Sequence, residues 1–186
     1  MDPMETRTSR PRAIVAAVSA LLCVPILAVG AFAASGGQSQ LEALRAATVK
    51  YHDVSAAGPG GYEPFYLCTD NEGLDAAMGQ HFADVPRVLD PTIDPLDPEV
   101  LVYEPKPGGG YRLVGVEWVV FQADWDALHA SPPELFGQPF TPLDGTNRYG
   151  LPPFYELHAW IWKGNPRGLF DDWNSNVSCR GNGDPA

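Results

Sequence analysis

Basic residues are scarce in this 186-residue chain, with 12 Lys and Arg against 23 Asp and Glu and a net charge of −11. An acidic surface repels phosphate backbones and anionic lipid, so nucleic acid is not an expected partner. Cysteine is scarcer, at three residues, and no C-x-x-C pair exists to hold a thiolate metal site. The chain also lacks a G-x-S-x-G elbow, a Walker loop, an H-E-x-x-H helix and a dinucleotide fingerprint. The corresponding hydrolase, nucleotide-binding, metalloprotease and dehydrogenase readings therefore have no support. Apart from one stretch near the N-terminus, no hydrophobic run is long enough to span a bilayer.

That stretch reads as a leader. Arg7, Arg10 and Arg12 precede an apolar run from Ala13 to Gly30, broken only by Ser19 and Pro25. Ala31-Phe32-Ala33 then supplies the small residues of a signal-peptidase site, with the cut before Ala34. Residues 1–33 are thus expected to be a signal peptide and the protein to be secreted or held at the cell-envelope exterior; an uncleaved membrane anchor is the alternative. Without the leader Lys+Arg falls from 12 to 9 and Asp+Glu from 23 to 21, giving −12. Export leaves Cys68 and Cys179, and in an oxidising compartment such a pair is expected to form a disulfide tying the start of the domain to its end.

The mature chain has the length of one domain, expected at 41–179 between a polar spacer (34–40) and a disordered tail (180–186). Leu41, Leu44 and Ala47 make a helical stripe over 41–55. Gly58-Pro59-Gly60-Gly61 breaks it. Short strands follow at 62–68 and 76–82, with Gly79 marking a bulge or a close backbone approach. Three Asp-Pro steps between Asp90 and Glu99 give a stiff surface segment whose spacing is not that of a calcium loop. Val100–Glu104 and Tyr111–Phe121, joined by PKPGGG, are expected to pair as an antiparallel hairpin. Strict alternation puts Val114, Val116, Trp118 and Val120 on one face, and Leu113, Gly115, Glu117, Val119 and Phe121 on the other. Residues 134–149 read as a long aromatic loop, the kind that walls or lids a pocket.

The stretch Leu151–Trp162, LPPFYELHAWIW, carries the strongest hint of chemistry. Two prolines open it and period-2 alternation follows, so it reads as a strand covered on both faces. Phe154, Glu156, His158, Trp160 and Trp162 share one face. Buried polar groups cost free energy unless paired, which makes Glu156 and His158 stand out. With His81 and Glu117 they place two imidazoles and carboxylates on three β-segments, a set that suits a divalent metal or general acid–base work. His81, Glu117 and His158 are the candidate metal ligands; Glu156 and Trp160 are the candidate ligand-binding residues. The competing interpretation is a His–Glu network that only fixes the sheet. His52 and His129 read as surface residues.

The segments MGQHF, LVYEPKPGGGYRLVGVEW, LFGQPF and LHAWIWKGNPRGLFDDWNSNVSC resemble those of a family of small secreted bacterial proteins without an assigned activity. The likeness covers about Leu41 to Cys179 and includes His81, Glu117 and His158, but it implies no reaction.

The expected fold is α+β, an N-terminal helix packed on a curved, mostly antiparallel sheet that forms a partly open barrel. The expected function is an exported domain that binds a small molecule or a metal ion in an aromatic pocket. The alternatives are a secreted hydrolase or metal-dependent oxidase using the same residues, and a partner-binding module without pocket chemistry.

Overall fold

The computed structural model describes Met1 and residues 28–71 and 75–182. The strands are β1 (Glu63–Asn71), β2 (Ala76–Ala83), β3 (Val100–Pro105), β4 (Tyr111–Phe121), β5 (Glu134–Leu135), β6 (Gln138–Pro139), β7 (Thr141–Leu143) and β8 (Phe154–Ala159). Six of them form one curled antiparallel half-barrel in the order β1-β2-β3-β4-β8-β7, and β5 and β6 make a separate small hairpin. The fold is α+β, as the sequence predicts.

Helix α1 (Ala28–Thr48) lies on one face of the sheet, burying Leu41 and Leu44 beside Trp118, Tyr103 and Leu157. Arg45 Nε donates to Ile161 O at 3.1 Å and fixes its docking. The helix is longer at its N-terminal end than the stripe foretells, so 34–40 is helical. No proline interrupts the run from Ala28, and extending a helix costs far less than starting one. Beyond Thr48 the chain tightens into 3-10 turns at Val49–His52 and Val54–Ala56. Most of the expected leader (2–27) lies outside the described residues, as do residues 183–186 of the expected tail, which opens with a 3-10 turn at Arg180–Asn182. Among the described residues no helix is long and apolar enough to cross a membrane.

The PKPGGG hairpin forms, with Lys106 N donating to Gly110 O at 2.9 Å. Its alternation slips once. Val102 pairs with Gly115 and Tyr103 with Leu113, leaving Val114 as the extra residue of a bulge. Leu113 therefore turns to the α1 side with Val116, Trp118 and Val120, while Val114 joins Val119 on the opposite face. This exchange corrects the strict alternation expected above: Glu117 keeps Val119 and Phe121 on its face but not Leu113.

The irregularity expected at Gly79 is present. Gly79 has φ +102°, and a Cβ there would meet Tyr103 O at 2.6 Å, where β2 runs hard against β3. Gly79→Ala is expected to cost about 1–3 kcal/mol or more from backbone strain and the close contact, read as a lower urea midpoint. An unchanged midpoint would mean that β2 shifts freely. The Asp-Pro segment is structural. Asp90 and Asp94 cap Thr92 N and Leu96 N, and the segment's backbone accepts from Trp118 Nε1 (2.8 Å) and Tyr62 Oη (2.7 Å).

Cys68 and Cys179 are joined in a disulfide with a Cα–Cα distance of 5.6 Å. It staples edge strand β1 to the C-terminal segment, which also bridges β2 through Asn174 and Ala77. The 134–149 stretch is less irregular than expected, since β7 extends the main sheet beside β8. Strand β8 stops at Ala159, before the predicted end at Trp162. Trp162 N and Lys163 N both donate to Val114 O, so the chain turns there. Trp162 thereby leaves the face of Glu156 and His158 and packs edge-on against His52, with ring centroids 4.3 Å apart.

Candidate metal centre and its cavity

The face away from α1 carries the polar residues that the sequence singles out. Glu117 on β4 sits directly opposite His158 on β8, with Glu156 two residues further along β8 opposite Val119. His81 lies on β2, paired with Val102, while Val100 pairs with Glu117. Between them the intervening β3 places Val100 and Val102 on this face, and the His81 ring comes to 5.8 Å from that of His158, centroid to centroid. All three expected ligands converge. His81 Nε2 is 3.5 Å from Glu117 Oε2, and His158 Nε2 is 3.8 Å from the same oxygen. His81, Glu117, His158 and Glu156 are all buried, none more than 4% exposed.

Two more carboxylates complete the cluster. Asp172 Oδ1 lies 3.7 Å from His158 Nδ1, a charge contact longer than a hydrogen bond. A carboxylate oxygen of Glu156 lies within 4.8 Å of ligand atoms of both His158 and Asp172. Among the described residues, neither nitrogen of His158, nor Nδ1 of His81, nor Oε2 of Glu156 has a hydrogen-bond partner. Buried polar atoms of native proteins are nearly always partnered, so four orphans in one cluster are exceptional.

The electrostatics divide the two imidazoles. Burial dominates at His81 and lowers its pKa to about 4, against the pull of Glu117. Burial opposes charge on His158 as well, but Glu117, Asp172 and Glu156 together outweigh it and raise the pKa to about 9. Burial, then the charge of Glu117, raises Glu156 well above the carboxylate range. Burial also lifts nearby Glu99 to about 8, although its Oε2 accepts from Val119 N at 3.2 Å.

Above His81 and Glu117 opens a cavity of about 220 Å³. Its walls are Phe65 from β1, Val85 and Val88 from α2 (Val85–Val88), Phe121, Phe154 and Tyr149. Tyr149 bears out the expectation that the long loop walls a pocket, and Leu151, just beyond that loop, lines it too. Glu156 and Trp160 do not line this cavity. Trp160 stacks against His158 (5.9 Å, 18°) and donates Nε1 to Asp171 O, which makes it a backing residue. Compared with protein-family models, curated proteins and solved structures, the chain matches none.

Sequence reasoning missed Asp172, Glu99 and Tyr149. The acidic doublet Asp171-Asp172 inside the aromatic run LFDDW was the one available signal. His52 and His129 are exposed, as expected, with His129 stacked on Trp125 at 3.7 Å.

Proposed function

We propose that this protein is a transition-metal-binding domain that works outside the cytoplasm, holding its ion with His81, Glu117 and His158. The carrying observation is the aim of both Nε2 atoms at one oxygen of Glu117, at 3.5 and 3.8 Å. These separations exceed the 2.7–3.2 Å span typical of N–H···O bonds. They approach the roughly 3.3 Å between donors around a tetrahedral ion with bonds near 2.0–2.1 Å. A network meant only to fix the sheet would close those gaps and satisfy the ring nitrogens.

Asp172 strengthens the reading. Metal-bound imidazoles commonly turn their second nitrogen to a carboxylate, which sets the tautomer and the ring orientation. His158 has that arrangement, with Nδ1 toward Asp172 and Nε2 toward Glu117. Two imidazoles and one carboxylate suit zinc or iron(II), and three protein donors leave positions open for a further ligand. Export is supported by the leader-like N-terminus and by the disulfide, which persists in oxidising compartments.

Protein purified without chelator is expected to carry a single zinc or iron ion per chain by elemental analysis. Glu117→Gln should bind it at least about tenfold more weakly while remaining folded. Cobalt(II) substitution gives a second readout in its visible absorption. Failure of wild-type protein to take up zinc, iron or cobalt, with Glu117→Gln strongly destabilised, would sink the proposal and leave a structural network. Metal affinity should also rise about tenfold per pH unit between pH 6.5 and 9, because the ion must displace the proton that His158 holds. A pH-independent affinity would contradict the role of His158.

A further inference from the structure

Resting on the metal reading above, we infer that the cavity over the metal centre binds an apolar monocarboxylate, whose carboxylate completes the coordination of the ion. The three donors stand side by side on one face of the sheet, so the remaining directions around the ion point away from it. His81 and Glu117 form the polar floor of the cavity, and the open positions therefore face its walls. Those walls come from Val85, Val88, Phe65, Phe121, Phe154 and Tyr149, none of which carries a charge.

Size sets the body of the ligand. An apolar cavity of about 150 Å³ accepts a benzene ring, so one of about 220 Å³ accommodates a chain or ring system of about nine carbons. Charge sets the head group. A divalent ion bound by two neutral imidazoles and Glu117 keeps one positive charge beneath apolar walls. Glu156 stands outside the cavity lining, so the charge beneath the apolar walls is that of the ion and Glu117. Asp172 lies on the far side of His158, with its side chain 28% exposed. An uncompensated charge in such a setting is costly, and a ligand carboxylate neutralises it while filling one or two open positions. Without the ion the same carboxylate would meet Glu117 with no lysine or arginine among the described residues that line the cavity. Binding must then depend on metal.

Calorimetric titration of octanoate and of 1-octanol into zinc-loaded and EDTA-treated wild-type protein tests this. Octanoate is expected to bind the zinc form at least about tenfold more tightly than the metal-free form. Octanol, with the same chain and no charge, should show no such zinc dependence. Val88→Trp fills the cavity from its half-buried position on α2 without touching the three donors. It should keep wild-type zinc affinity and lose octanoate; Leu151→Trp makes the same test from another segment if the first variant does not fold. Zinc binding with octanoate absent, or equally tight with and without zinc, overturns the carboxylate site and leaves the metal reading intact. Failure to bind zinc overturns both.

Discussion

Raising the pH from 6.5 to 9 is expected to destabilise the metal-free protein by roughly 3–5 kcal/mol. His158 titrates near 9 in the folded state against an ordinary value of 6.5, so the folded protein holds the extra proton across this interval. The stability this proton contributes is complete below pH 6.5 and is lost as the pH passes through about 9. Glu99 acts with the same sign, since its folded value of about 8 stands above an ordinary 4.5. Glu156, also raised, adds to the loss. His81 works in the other direction and in another window. Its folded value of about 4 means that below pH 6.5 the unfolded imidazole takes up a proton that the folded one refuses.

Saturation with zinc should oppose the alkaline loss. The ion replaces the proton on His158, so its stabilisation, which grows with the ratio of free ion to dissociation constant, increases over the same pH range. Urea titrations between pH 5 and 9, with EDTA and with zinc, read both effects. A metal-free profile that is flat above pH 6.5 would mean that His158 and Glu99 keep ordinary values. Glu99→Gln should flatten only part of the slope, because His158 still titrates.

What the sequence revealed and what it hid have separate physical causes. The hairpin, β8 and the convergence of Glu117 with His158 were legible because period-2 alternation and a glycine turn fix which side chains share a face. His81 was legible only as a polar residue on an apolar strand; its approach to the others depends on the curl of the sheet across β3. The bulge at Val114 left no trace, because Leu113 and Val114 are both apolar and either can be buried on either face. Trp162 was misplaced for a related reason, since nothing in IWK announces that two successive amides will turn onto Val114 O. Asp172 could not be assigned at all. It reaches His158 through a segment without regular structure, positioned by Asn165, whose amide donates to Asp171 O and Trp173 O, and by the nearby disulfide. The cavity is likewise a product of tertiary packing, assembled from β1, α2, β4, β8 and the loop around Tyr149.

The disulfide carries the other large expected effect. Cys68 and Cys179 are 111 residues apart, and cross-linking a loop of that length stabilises by about 4–5 kcal/mol in the chain-entropy account. Reduction, or the Cys68→Ser/Cys179→Ser double variant, should lower the melting temperature by about 10–15 °C for a domain of this size. The loss should not be uniform. Strand β1 is an edge strand whose pairing with β2 shifts register twice around Thr69, and beyond Tyr62 the bond to Cys179 is its covalent tie to the opposite end of the domain. Hydrogen exchange should therefore speed up in β1 and in 174–179 well before β4, which is paired along both edges. Phe65 leaves the cavity wall when β1 loosens, and Asp172 is freed when the C-terminal segment does. Octanoate binding should accordingly weaken more than zinc binding, whose three donors stand on β2, β4 and β8. A melting temperature changed by less than about 2 °C on reduction would show that the staple adds little to what the sheet already holds.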